Sequence, residues 1–156
     1  MNRDVCFVAF NNTIATKVLS GLSHYQTYKI ESDFSSLTDF VQTSNSLDAK
    51  YIIGLGQYSG KDKDNLRIET QCNKNFRNTK IEKSDKLQLN NILTSTDQSK
   101  LATGLGNSWC NLLSVMMLNN TKRNYLYAFI HIPKNFNAKD ATKEILEMLP
   151  DNLVVR

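Results

Sequence analysis

Val5-Cys6-Phe7-Val8-Ala9-Phe10 is an unbroken apolar run of strand length, followed at once by Asn11-Asn12-Thr13, whose side chains favour a turn or a helix cap. A strand apolar on both sides belongs inside a sheet covered on both faces. Downstream, Ala15, Val18, Leu19 and Leu22 recur at helical spacing, and Tyr25 to Ile30 alternates in polarity as a second strand. Ser32 or Asp33 then caps a helix over Phe34 to Ser44, with Phe34, Leu37, Phe40 and Val41 on one face. Ala49 to Gly56 is a third strand, running into Gly56-Gln57-Tyr58-Ser59-Gly60. This βαβαβ rhythm requires parallel strands joined by right-handed crossovers. It predicts an α/β fold: a three-layer α/β/α sandwich around a mostly parallel twisted sheet with a mixed edge.

Between Lys61 and Thr96 the periodicity weakens, with short strands expected at Asn65 to Gln71 and Leu87 to Leu93, as an excursion at the sheet edge. After Ser99 to Gly104, the segment that begins at Gly106 carries Leu112, Leu113, Val115, Met116, Met117 and Leu118, too apolar all round for a surface helix. A helix buried against the sheet is expected. Tyr125 to Ile132 is the strongest strand signal, stopped by Pro133, which cannot donate to a ladder. A last amphipathic helix fits Ala138 to Leu149, with Ala141, Ile145 and Met148 on its core side and Pro150 ending it.

The 156 residues are expected to form one domain, residues 1–156, with a single core. A net charge of +4 comes from 19 basic and 15 acidic residues. The densest basic stretch, Lys61 to Lys86, is interrupted by Asp62, Asp64, Glu69, Glu82 and Asp85, so it lacks the continuous stripe that phosphate tracking needs. Nucleic acid is not an expected partner. Neither is a membrane, because no apolar run is long enough to span one and no signal segment is recognisable. Cys6, Cys72 and Cys110 cannot all pair, and reduced thiols in a cytoplasmic protein are expected. The cysteines and the two histidines, His24 and His131, fit no zinc spacing, so no metal is expected, and His24 reads as a surface residue.

Two segments carry candidate chemistry. Gly106-Asn107-Ser108-Trp109-Cys110-Asn111 sets a thiol where a loop becomes a helix, and Phe129-Ile130-His131-Ile132-Pro133 sets a histidine at a strand's carboxyl end. Helix N-termini offer unpaired N–H groups and partial positive charge, which favour a thiolate and can hold an oxyanion. Gly106 would let the backbone approach a substrate. His131 could act as the base and later as the acid toward a leaving amine. Taken singly, each also fits a plain role: a small buried hydrophobe for Cys110, a backbone-bonded side chain for His131. A histidine base needs a third group to orient it. Glu69, after the glycine-rich segment, is one candidate that spacing alone does not single out.

Together these segments resemble pyroglutamyl peptidase I, the pyrrolidone-carboxylate peptidase family of intracellular cysteine peptidases. Ile52 to Gly60 is similar to the family's strand and Gly-Gln-x-x-Gly turn, Leu66 to Asn75 to its glutamate segment, Gly106 to Leu113 to its Gly-x-x-x-Cys-Asn segment, and Ala128 to Pro133 to its Phe-Ile-His-x-Pro strand. The chain resembles a shortened and divergent member. Asn11-Asn12-Thr13-Ile14 stands where the family's first loop has a second phenylalanine, a proline and paired glycines, and Gly60-Lys61 where it has Gly-Gly-Arg.

The resemblance implies a triad of Cys110 as nucleophile, His131 as general base and acid, and Glu69 as the group that orients the imidazole. It implies removal of an N-terminal pyroglutamyl residue from a peptide with a blocked N-terminus, through a thioester, without cofactor or metal. Phe10 and Gln57 match positions around the lactam ring, and Trp109 could wall the same pocket. A homo-oligomer is compatible with it. The alternative is a catalytically silent relative that binds peptide ends or protein partners in the same cleft.

Overall fold

The computed structural model describes residues 1–82, 87–89 and 92–155. Among these residues, ten strands and four α-helices follow in the order β1 Asn2–Phe10, α1 Ile14–Gly21, β2 Tyr25–Ile30, α2 Phe34–Ser44, β3 Tyr51–Tyr58, β4 Leu66–Glu69, β5 Gln71–Cys72, β6 Asn75–Phe76, β7 Thr79–Lys80, β8 Leu87–Gln88, β9 Ser99–Ala102, α3 Trp109–Asn119, β10 Leu126–Pro133 and α4 Ala138–Met148. A short 3-10 turn, Asp151–Leu153, comes after α4. The main sheet has the order β2-β1-β3-β10-β4-β9. Its strands β2, β1, β3 and β10 are parallel; β4 runs antiparallel to β10, and β9 parallel to β4. This is the expected mostly parallel sheet with a mixed edge. The short strands β5 with β8, and β6 with β7, form two antiparallel pairs outside it.

Alternation along β1 explains the three layers. Val5, Phe7 and Ala9 join the core under α1 and α4, while Cys6, Val8 and Phe10 join the core under α2 and α3. In β10 the same alternation sends Ala128, Ile130 and Ile132 to the first face and Tyr127 and Phe129 to the second. His131 therefore shares the α3 face. Ala141, Ile145 and Met148 of α4 are fully buried, as the helical spacing predicts.

The caps follow the residues. Thr13 closes a capping box with Thr16 at the start of α1, and Asp33 caps α2 through Ser36 N–H. The segment at Leu66 corrects one expectation: β4 lies inside the sheet, between β10 and β9, and is no edge excursion. The edge is β9, four residues whose ends are buried and whose middle is exposed, too short to stand out as a periodic pattern. The strand expected from Leu87 to Leu93 is confined to Leu87–Gln88 among the described residues, and 90 and 91 lie outside them. Pro133 belongs to the end of β10 opposite Tyr58. Its missing N–H falls on the side where β4, paired only as far as His131 with Arg67, has already ended.

No helix among the described residues is long and apolar enough to cross a membrane.

Candidate active site

At the carboxyl ends of β1, β3 and β10 a cleft of about 530 Å³ opens, lined among others by Phe10, Gln57, Trp109, Cys110 and His131. An open parallel sheet gathers ligands at that end. Five of the six residues singled out in the sequence thus line one cleft, and the sixth, Glu69, contacts His131.

His131 is held from the back. Its Nδ1 stands 2.8 Å from Glu69 Oε1, and both side chains are buried. Register accounts for the meeting: β4 pairs Phe129 with Glu69 and His131 with Arg67, so Glu69 is the diagonal neighbour of His131 on one face. The same carboxylate accepts Arg67 Nε at 3.2 Å through Oε1 and the Gly104 backbone N–H at 3.0 Å through Oε2. Burial raises the Glu69 pKa, but the His131 hydrogen bond and charge, with those of Arg67, outweigh it and hold the carboxyl below its ordinary value. An ionised Glu69 accepts Nδ1–H from His131, which leaves Nε2 as the acceptor. Phe129 meets the imidazole edge-on, centroids 5.1 Å apart, and Tyr58 flanks it at 6.0 Å. The guanidinium of Arg67 in turn lies 4.5 Å over the Tyr58 ring.

Cys110 reaches the same place from above. It is the second residue of α3, after the Ser108 N-cap, which makes no side-chain cap bond. The turn into the helix runs through Gly106 at φ +83°, a left-handed conformation that glycine adopts without strain. A Cβ there would meet nothing within 4 Å, so backbone conformation, and not close packing, is what requires the glycine. At Gly56 the reason is reversed. A Cβ on Gly56 would lie 2.7 Å from Cys110 Sγ and 2.8 Å from the Phe129 ring. Gly56 pairs with His131 in the β3–β10 ladder, so the thiol rests on bare strand backbone one strand away from the imidazole.

The thiol is not the ready thiolate that its helix position suggests. Burial, with the Glu69 charge adding to it, pushes Cys110 up to about 12, and the local backbone hydrogen bond offsets this only in part. Desolvation outweighs the helix terminus. Cys110 nevertheless remains partly exposed to the cleft, whereas Cys6 and Cys72 are buried in the core and likewise pushed up to about 12.

Gln57 turns its side chain to other work. Its Oε1 accepts the Ile14 N–H at 3.3 Å at the start of α1, so its carboxamide oxygen is tied to that helix while the residue lines the cleft. Trp109 packs against Phe76 and Phe34, with centroids 5.0 and 5.2 Å away. His24 is exposed, as expected.

Several supporting residues escape sequence reading. Asn111, fully buried beside the thiol, accepts Asn73 N–H at 2.7 Å and donates to Asn73 O and Asn75 O at 2.9 and 3.0 Å, pinning the β5–β6 segment to α3. Ser114 donates to Cys110 O at 2.9 Å. Arg67 and the Gly104 N–H satisfy Glu69. A period-two hint existed in Gly54-x-Gly56 and in Arg67-x-Glu69, since alternate strand residues share a face. For Asn111 there was none beyond its adjacency to Cys110.

Solved structures share this architecture over nearly the whole chain. Pyroglutamyl peptidase I from Bacillus amyloliquefaciens superposes with a TM-score of 0.73 at 14% identity, covering 100% of this chain and 97% of that one. The fold is that of pyroglutamyl peptidase I. Pyrrolidone carboxyl peptidase from Thermus thermophilus gives 0.71 at 12% identity over 93% of this chain and 100% of its own. That of Fervidobacterium islandicum gives 0.73 at 13% identity, over 90% and 93%. No family model matches the sequence. No curated protein sequence matches it either. The likeness to pyroglutamyl peptidase I is therefore one of backbone architecture, and the side chains must argue for themselves.

Proposed function

We propose that the protein is a cysteine peptidase that removes an N-terminal pyroglutamyl residue from peptides, with Cys110 as nucleophile, His131 as general base and acid, and Glu69 as the group that orients the imidazole. The observation that carries this reading is the 2.8 Å contact of His131 Nδ1 with an ionised, fully satisfied Glu69, beside a thiol seated on Gly56.

In this reading the resting thiol is neutral. His131 Nε2 takes its proton as sulfur attacks the carbonyl carbon, so no free thiolate need accumulate. Negative charge on the carbonyl oxygen meets the N–H groups at the start of α3. The imidazolium, supported by Glu69, gives its proton to the leaving amine as the carbon–nitrogen bond breaks. Water, deprotonated by His131, then attacks the thioester and releases pyroglutamate and the thiol. Neither cofactor nor metal enters these steps. Phe10 and Trp109 supply apolar walls for a small neutral lactam, and Gln57 fixes the floor beside α1.

The raised Cys110 thiol favours one alternative, a cleft that binds peptide ends without cleaving them. Turnover of a pyroglutamyl coumarin amide under reducing conditions decides between the two. Hydrolysis by the unaltered protein that disappears in Cys110→Ser, with the fold retained by circular dichroism, supports the peptidase. Its absence from the unaltered protein defeats that substrate.

A further inference from the structure

The cleft does not end at His131. Beyond it, the chain leaving β10 at Pro133 passes to Lys134 and Asn135, and the chain leaving the neighbouring β3 at Tyr58 passes to Ser59 and Gly60. These two exits enclose a second cavity of about 240 Å³, which shares Tyr58, Ser59 and Gly60 with the candidate active site and adds Lys63, Lys134 and Asn135. On the other flank a third cavity shares Thr13 and Gln57 with the site and is lined by Lys17 and, again, Lys134. No acidic side chain among the described residues lines either cavity. Among the described residues, Lys17, Lys63 and Lys134 have no ion-pair partner.

We infer that this lysine-lined extension is the binding site for the part of the substrate after the scissile bond, and that it selects peptides carrying carboxylates there: an acidic side chain or a nearby free C-terminus. The inference rests on the assignment of Cys110 and His131 as the reacting pair. A leaving amine protonated by His131 departs on the His131 side, and the chain attached to it runs over Tyr58 to Gly60 toward Lys63 and Lys134. The ring pocket at Phe10 and Trp109 holds the neutral lactam, so charge selection falls to the other side of the bond. Unpaired ammonium groups at a cavity rim gain a partner without losing one, and cluster repulsion is relieved when an anion arrives.

Trp109 is the sole tryptophan and lines the cleft, so its fluorescence reports binding without turnover. The test titrates full-length Cys110→Ser protein at low salt with three C-terminally amidated peptides: pyroglutamyl-Asp-Glu, pyroglutamyl-Asn-Gln and pyroglutamyl-Lys-Lys. The acidic peptide is expected to bind roughly tenfold more tightly than the neutral one and the basic peptide more weakly, with the differences shrinking at high salt. Introducing Lys63→Glu and Lys134→Glu should reverse the order. Equal affinities, no measurable binding, or an acidic preference that survives the double substitution would overturn the inference. If the charge preference holds while the unaltered protein cleaves none of the three, charge-selective peptide binding by these cavities stands, but their assignment to the leaving side falls together with the peptidase reading.

Discussion

His131 Nδ1 and Glu69 Oε1 lie 2.8 Å apart on neighbouring antiparallel strands, joined diagonally across the β10–β4 ladder. The contact fixes which imidazole nitrogen carries the proton. Glu69→Gln keeps the shape but can offer the amide hydrogen in place of the acceptor, which favours the wrong tautomer. It is expected to lower kcat for a pyroglutamyl amide about 10²- to 10⁴-fold, with KM changed much less. Steady-state kinetics on the refolding-competent variant check it; a change confined to KM would contradict the orienting role.

The same carboxylate gives an acid limb to stability. Its folded pKa lies below the ordinary 4.5, so the unfolded chain binds this proton more readily than the folded one. The contribution of Glu69 is complete above its unfolded value and is lost as pH falls through the folded value. Glu69→Gln should therefore destabilise most at neutral pH, by about 1–3 kcal/mol since the half-buried Arg67 loses its charged partner, and least in acid. Urea unfolding at a series of pH values shows whether the two proteins converge as pH falls.

Cys110 is expected to resist alkylation at neutral pH. With its thiol pushed up to about 12, the thiolate fraction grows about tenfold for each pH unit well into the alkaline range. The iodoacetamide rate measured with no substrate present should rise continuously from about pH 7 to about pH 10. A plateau near neutrality would mean a preformed thiolate and would refute the base-assisted attack described above.

Gly56→Ala places a methyl group against Cys110 Sγ and the Phe129 ring, both closer than normal contact. One of them must move, and Phe129 is fully buried. The expected cost is about 1–3 kcal/mol, with loss of pyroglutamyl amide turnover beyond what the stability change explains. Denaturant midpoints and kinetics on the same preparation separate the two effects; unchanged turnover would show that the thiol does not depend on this seat.

Legibility in the sequence varied with the kind of signal. The apolar run at Val5 to Phe10 and the alternation in β10 were readable because a strand's two faces are written in consecutive residues. The helix at Phe34 to Ser44 was readable because its apolar positions recur at three and four. The edge strand at Ser99–Ala102 and the interior place of Leu66–Glu69 were not, since short segments acquire their partners only through long-range pairing.

The sequence by itself determined the βαβαβ order, the two-sided sheet and the presence of a thiol at a helix start and a histidine at a strand end. Local periodicity and capping carry that much. Only the tertiary structure decided that β4 runs antiparallel beside β10, which brings Glu69 behind His131, and that Gly56 leaves room for Cys110 Sγ. It also decided the charge state of the thiol. A helix terminus is a local feature legible in sequence, but the desolvation that outweighs it is set by how much protein closes around the sulfur.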